Sequence, residues 1–434
     1  MTDSNIEDRE PRIQYRLYRR QPFDHSRCTR CGECFHCCPV MGLPLDRARQ
    51  EMERIQAGQD SPVLRRCTSC QACNLICPED CRPANLILDR WHEACRREGL
   101  PARAAYFLPY ARPNFRTDIL ARLPAGEKAV IARWRKDGPA REFLYTGCNL
   151  ITTPYLTFSR LFEGLEIRGG LDYCCGEMLL RMGLYEALEQ VAQRLSHWFH
   201  LLGAEKVYLV CTAGLNMLRN VLPQFGADLS SIQFLPFQEV VLGRLNGGDL
   251  GPIRPLEMAV TVQDSCHARV VEPGFVDLPR RLLAAIGAEV REAPQCREEQ
   301  LCCGIGGGFS HAAAYHPANL LLSARATSRD HRRQPADATC VYCSGCLEMM
   351  SVARFVDPNR RPVYHLLELV QMAISEAPRG RQGHLGRQNA LARQNALALQ
   401  FVRGTVRRQF PRLLSRERFW LPDLPLEPNP AEAI

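Results

Sequence analysis

The sequence predicts an α-rich N-terminal domain followed by two related domains of α/β type. Three observations predict it. Two copies of the run Cys-x2-Cys-x2-Cys-x3-Cys-Pro stand at residues 28–39 and 67–78. Farther on, an apolar run ending in cysteine, a Cys-Cys-Gly triplet and a second apolar run ending in cysteine occur twice in that order. The 434 residues are 46% hydrophobic and 24% charged, ordinary globular proportions for a chain long enough to hold about three domains. With 22 cysteines, the chain is cysteine-rich yet too long to need a disulfide scaffold.

No segment approaches the eighteen or so consecutive apolar residues of a membrane span. The N-terminus, MTDSNIEDREPRIQYRLYRR, has no apolar core of a secretory signal, so a cytoplasmic location is expected. In a reducing compartment, cysteines at regular spacing are metal ligands or redox groups more often than cross-links.

Residues 1–24 read as a polar, basic arm in which RIQYRLYRR mixes arginine with aromatics, as a partner contact would. Residues 25–100 carry CTRCGECFHCCP, with Cys28, Cys31, Cys34 and Cys38, and CTSCQACNLICP, with Cys67, Cys70, Cys73 and Cys77. Both fit the bacterial ferredoxin run, in which three cysteines wrap one [4Fe-4S] cubane and the fourth reaches the neighbouring one. A single Cys-x2-Cys also occurs in zinc sites. Two complete copies with their prolines point instead to a 2[4Fe-4S] ferredoxin-like domain. Cluster one is then assigned Cys28, Cys31, Cys34 and Cys77, and cluster two Cys67, Cys70, Cys73 and Cys38. Cys37, Cys81 and Cys95 fall outside the pattern and are expected as small buried side chains. LPLDRARQEMERIQAG between the motifs reads as a helix stopped at Gly58. The net charge of +8 is no argument for nucleic-acid binding, because each thiolate-held cubane adds roughly two negative charges.

A proline-punctuated connector, residues 101–140, leads to the repeated part. In residues 141–250, EFLYTGC ends at Cys148, Cys174-Cys175-Gly176 follows, and KVYLVC ends at Cys211. In residues 251–376, EMAVTVQDSC ends at Cys266, Cys302-Cys303-Gly304 follows, and ATCVYCSGC carries Cys340, Cys343 and Cys346. The β-rich runs alternate with helical stretches such as MGLYEALEQVAQRLSHWFHLLG and LPRRLLAAIGAEV, so each half is expected to be α/β with largely parallel strands. Cysteines at strand ends then gather at the carboxyl edge of a sheet, where open α/β folds bind ligands. Helices starting just after Cys211 and Cys346 would aim their positive ends at thiolate sulfur. Gly304, Gly306, Gly307 and Gly308 would let backbone approach a bulky cofactor; a dinucleotide loop is set aside, since the run follows a Cys-Cys pair and lacks the strand before it.

These residues resemble the CCG-domain (cysteine-rich domain) family. QDSCHARVVEPGFVDLPRRLLAAIGAEVREAPQCREEQLCCGIGGG is similar to the second such domain of heterodisulfide reductases. With the ferredoxin part in front, the layout over roughly residues 25–372 resembles the heterodisulfide reductase chain that joins both modules, and related iron–sulfur subunits of transmembrane redox complexes in sulfate-reducing bacteria. The resemblance implies two duplicated CCG domains, and a noncubane [4Fe-4S] cluster on the five-cysteine set Cys266, Cys302, Cys303, Cys343 and Cys346. Cys340 stands in reserve for Cys343. The first half departs from the pattern, because Gly214 occupies the place of a cysteine. Its Cys148, Cys174, Cys175 and Cys211 are left to bind zinc, a further cluster or nothing.

His267 and His311 are candidate proton donors near the rear cluster, although an ordinary hydrogen-bonding role is the commoner use of such residues; His365 reads as packed. The tail, residues 377–434, has ten arginines and one acid between Arg379 and Arg418, and repeats RQNALA in tandem. Val402, Val406, Phe410 and Leu413 lie at helical spacing, so the tail reads either as solvated or as a basic amphipathic helix that docks on a partner or on anionic lipid. The expected function is a cytoplasmic iron–sulfur electron-transfer subunit at the inner face of the membrane, working with an integral membrane heme- or quinone-handling protein. The alternatives are a catalytic thiol:disulfide reductase, and the iron–sulfur subunit of a lactate, glycolate or glycerol-3-phosphate dehydrogenase.

Overall fold

The computed structural model describes residues 21–136, 138–306, 316–356, 361–376 and 387–428. The basic arm up to residue 20, Gly307, Gly308 and His311 lie outside the described residues. The N-terminal part is built on two longer helices, Leu45–Gln56 and Pro83–Glu98. The first turns Ala48, Met52 and Ile55 inward at spacings of three and four, and Gly58, at φ +72°, ends its turn. The second starts on Pro83, buries Leu86, Ile87, Trp91 and Cys95, and stops at Gly99, at φ +66°.

Two four-stranded, all-parallel sheets follow. The first contains β2 (Glu142–Tyr145), β3 (Ile167–Arg168), β4 (Lys206–Leu209) and β5 (Gln233–Pro236) in the order β3-β2-β4-β5. The second contains β6 (Met258–Gln263), β7 (Ala288–Val290), β8 (Ala338–Val341) and β9 (Val363–His365) in the order β7-β6-β8-β9. The two orders are the same, and in each the central pair ends in step, Tyr145 opposite Leu209 and Gln263 opposite Val341. All six residues of β6 are buried, as helix-covered parallel sheets require.

Three parts differ from the sequence reading. LPRRLLAAIGAEV is not one helix: the helix ends at Ala285, and Ala288–Val290 become an edge strand through pairing with β6, a long-range contact that outweighs local propensity. The connector holds two helices, Phe115–Leu120 and Ala125–Trp134, the first capped by Asn114. The described part of the tail is packed on the rest of the chain along one side. Its helix Arg387–Arg408 buries Gln394, Leu397, Ala398, Phe401 and Thr405 and pairs Arg393 with Glu127 and Arg408 with Asp118. The chain then adds a short strand β10 (Arg418–Phe419), antiparallel to β1 (Leu100–Pro101), and Arg194 donates to the Pro425 carbonyl at 2.9 Å.

His365 is buried, and it does more than pack: its ring caps the helix Leu366–Ala373 by accepting from Leu367 N–H at 3.2 Å. Beside it the Glu368 carboxyl meets His365 N–H (2.7 Å), the Tyr155 hydroxyl (3.1 Å) and the Gln394 amide (3.0 Å), tying the first half, the second half and the tail together. Burial raises Glu368 from 4.5 to about 7. The native state therefore holds a proton that the unfolded chain releases, and stability falls as pH rises from about 4.5 to about 7. Glu368→Gln mimics the protonated carboxyl. It is expected to match the wild type at pH 4 and to be more stable at pH 8, by up to about 3 kcal/mol. Thermal unfolding at the two pH values checks this; a pH-independent difference would count against it.

Candidate metal centres

Both cysteine runs coil in the same way. Arg30 (φ +59°) and Gly32 (φ +84°) in the first, and Ser69 (φ +48°) and Gln71 (φ +62°) in the second, hold left-handed backbone at equivalent positions, which turns three cysteines toward one point. The short helices Glu33–His36 and Ala72–Ile76 carry the third cysteine, and the fourth lies just beyond them. Cys28, Cys31, Cys34 and Cys77, with Cys81, line one cavity of about 290 Å³. Cys38, Cys67, Cys70 and Cys73 line another of about 470 Å³, which Cys34 also borders. The structure thus places the fourth cysteine of each run with the first three of the other.

The donor sets fit iron–sulfur groups. Gln56 Nε2 donates to Cys28 Sγ (3.1 Å), Ser69 N–H to Cys67 Sγ (3.2 Å) and Cys81 N–H to Cys77 Sγ (3.3 Å), a pattern that suits thiolate acceptors. Burial, then the neighbouring sulfurs, push Cys34 and Cys73 well up. Thiols so crowded ionise together only around a cationic core. Cys81 and Cys95 are buried, and Cys95 donates to the Met182 carbonyl (3.0 Å). Cys37, expected to be buried, is exposed and lies 3.4 Å from Glu33, because it faces outward at the end of its helix.

The repeated halves bring a second group of sulfurs together. Cys148 and Cys266 stand three residues past β2 and β6, and Cys211 and Cys343 two past β4 and β8, all at carboxyl edges. These four, with Cys174, Cys175, Cys303 and Cys346, line one cavity of about 670 Å³ between the halves. Cys211 Sγ lies 3.8 Å from Cys343 Sγ. Cys302 is buried within hydrogen-bond reach of Cys266 and Cys303. Hydrogen bonds from the Cys302 and Cys346 thiols pull Cys303 down to about 5, so this sulfur is already disposed to ionise and to bind metal. Among the described residues no three Cys, His, Asp or Glu side chains converge on a single-ion site; the eight sulfurs instead line one cavity shared by both halves.

The structure gives the detail behind several sequence assignments. Cys340 sits inside β8, paired with Val262 and Tyr364 and away from the cavity, so of the two candidates Cys343 is the one at the site. Cys346 does not precede a helix but lies in the first turn of Ser344–Val356, where its spacing of three from Cys343 keeps both sulfurs on one face. Gly304 and Gly306 do not line the cavity. A Cβ on Gly304 would stand 2.7 Å from Ala324 N, and one on Gly306 2.1 Å from the Thr68 carbonyl. These glycines admit protein backbone in place of a cofactor.

Sequence reasoning missed the charged groups around this cavity: Arg116, Glu177 and Arg181 beside the expected His267. Arg116 is buried and donates to Asn149 and to the Phe107 carbonyl. Glu177 and Arg181, four residues apart on the helix Glu177–Met182, form an ion pair. Burial opposes ionisation of Glu177, but Arg181 and His267 hold it down at about 2. Asn216 gives its oxygen to Asn220, so its NH₂ donates to His267 Nδ1 (3.1 Å), leaving Nε2 facing Glu177 (2.9 Å). The Glu-x3-Arg spacing after Cys-Cys-Gly was a visible signal; nothing in it tells what the arginine reaches.

Comparison with known proteins gives matches at both centres. Residues 22–78 match the 4Fe-4S dicluster domain family, and residues 260–351 match the cysteine-rich domain family. The chain is 24% identical over 397 residues to one subunit of the dihydromethanophenazine:CoB–CoM heterodisulfide reductase of Methanosarcina barkeri, covering 80% of this chain and 93% of that one. It is 28% identical over 271 residues to the EtfAB:quinone oxidoreductase of Syntrophomonas wolfei, covering 57% of this chain but only 37% of the relative's length. One subunit of the fumarate reductase (CoM/CoB) of Methanothermobacter marburgensis is 24% identical, with 81% of this chain and 74% of that one covered.

Proposed function

We propose that this chain, related to one subunit of heterodisulfide reductase and to other iron–sulfur oxidoreductases, is an electron-transfer subunit of a membrane-bound redox complex. Cys28, Cys31, Cys34 and Cys77 hold one [4Fe-4S] cubane, and Cys38, Cys67, Cys70 and Cys73 the other. Cys266, Cys302, Cys303, Cys343 and Cys346, in the complete member of two duplicated cysteine-rich domains, hold a noncubane [4Fe-4S] cluster. The supporting observation is the contact between the second and third cavities: Arg181 of the rear cavity donates to the Thr68 carbonyl (2.9 Å) in the loop between Cys67 and Cys70. When bound, the clusters supply one-electron transfer, with potentials set by charge, hydrogen bonds and burial. The chain's own residues fix the sulfurs, exclude water and keep His267 oriented between Glu177 and Asn216.

Iron analysis and EPR on oxygen-free protein test the reading. Two cubanes and a third cluster require about twelve irons per chain, and about eight would leave only the ferredoxin pair. Zinc beside the iron, or irons beyond twelve, would give Cys148, Cys174, Cys175 and Cys211 a metal of their own. The thiol:disulfide reductase reading keeps one observation in its favour: the rear cavity carries sulfurs of both halves. Reduction of a small disulfide by fully loaded protein with an artificial electron donor would support it, and inactivity would remove it.

No described helix is long and apolar enough to cross a membrane. The end of the tail helix and the turn after it expose Val406, Phe410 and Leu414, the last at 95%, next to exposed Arg403, Arg407, Arg412 and Arg416. Apolar tips among cations suit the headgroup region of anionic lipid beside an integral membrane heme- or quinone-handling partner. Sedimentation with anionic vesicles is expected and should fall severalfold in Phe410→Ser/Leu414→Ser; equal binding to neutral vesicles would refute a charge-assisted contact.

A further inference from the structure

Arg181 stands where two of the proposed centres meet. It is 2% exposed. One terminal nitrogen of its guanidinium donates to the carbonyls of Thr68 (2.9 Å) and Ser69 (3.3 Å) and to Ser69 Oγ (2.6 Å). The other lies 3.2 Å from Cys266 Sγ and 3.0 Å from His267 Nε2, and Nε pairs with Glu177. Thr68 and Ser69 are the two residues between Cys67 and Cys70, so one planar cation is shared by the loop of the second cavity and the first sulfur of the rear set. The fork geometry of arginine allows this division, and a lysine, with a single nitrogen, could serve one side only.

We infer that Arg181 is a positioning residue for two redox centres at once: it biases both the Cys38–Cys67–Cys70–Cys73 group and the Cys266–Cys302–Cys303–Cys343–Cys346 group toward their reduced states, and leaves the Cys28–Cys31–Cys34–Cys77 group untouched. The inference rests on the cluster assignment proposed above. Adding an electron adds negative charge, and a buried positive charge that also donates N–H bonds stabilises that charge strongly where water is excluded. The thiols already register the effect. Burial and Cys70 push Cys67 up, and the Cys302 thiol and burial push Cys266 up; Arg181 opposes both. Glu177 is the counterweight, since its carboxylate pairs with the guanidinium and cancels part of the cation's field. Arg269, with a terminal nitrogen 3.9 Å from Cys70 Sγ, brings a second cation to the second cavity.

The test is an EPR-monitored redox titration of the full chain, prepared without oxygen. In Arg181→Gln the midpoints of cluster two and of the rear cluster are expected to fall together, each by about tenfold in the reduced-to-oxidised ratio at fixed potential, ~59 mV for one electron, with cluster one unmoved. Glu177→Gln, which frees the cation, should raise the same two midpoints. Loss of packing does not produce opposite signs in two neighbouring variants. Unchanged midpoints in an iron-replete Arg181→Gln protein, or all three centres moving together, would overturn the inference. Should Arg181→Gln fail to load iron, Glu177→Gln decides alone, and no upward shift refutes it. Wild-type protein with no rear cluster would instead refute the functional reading from which this one starts.

Discussion

Cys303→Ser, prepared without oxygen, is expected to lose about four of twelve irons and to keep the EPR signals of both cubanes. Serine is nearly the same size as cysteine, so the wall of the rear cavity stays packed, and Cys303 is 3% exposed with no solvent to reorganise. What is removed is a sulfur that hydrogen bonds from the Cys302 and Cys346 thiols pull down, a donor disposed to bind as thiolate. The hydroxyl that replaces it keeps its proton near neutral pH. Retention of about twelve irons would show that Cys303 is not a ligand. Disappearance of every signal would show that the front and rear centres do not load independently.

The second large effect is expected from Cys77→Ser. Cys77 lies in the second cysteine run, but its side chain lines the cavity of Cys28, Cys31 and Cys34. Its loss should therefore abolish the signal that Cys28→Ser abolishes, and spare the one that Cys67→Ser abolishes. The distance in sequence between Cys31 and Cys77 makes this a test of the fold as much as of the ligands. A Cys77→Ser spectrum that matched Cys67→Ser would mean that each run closes on itself.

Both front motifs could be read directly, because a loop that must aim three sulfurs at one point within seven residues leaves few spacings open, and that constraint is local. The α/β character of the rear halves was legible for the same reason in EFLYTGC, KVYLVC and EMAVTVQDSC, whose apolar runs became β2, β4 and β6. The short strands β3, β5, β7 and β9 were not. These are the edge strands of the two sheets, and they form because an inner strand offers hydrogen bonds. In the tail the sequence pattern picks out Val402, Val406, Phe410 and Leu413, whereas the helix is held by Gln394, Leu397, Ala398 and Phe401, turned toward a surface built by residues 115–120 and 344–356.

By itself, then, the sequence determined which sulfurs exist, how they are spaced, and that two short cysteine coils precede a twice-used α/β plan. Only the tertiary structure decided that sulfurs of both halves face one cavity and that Arg181 reaches from that cavity to Thr68 and Ser69. Spacing along the chain governs what neighbours in sequence do together. An arginine's five donors can be satisfied by any acceptors the fold delivers, and those acceptors lie more than a hundred residues away.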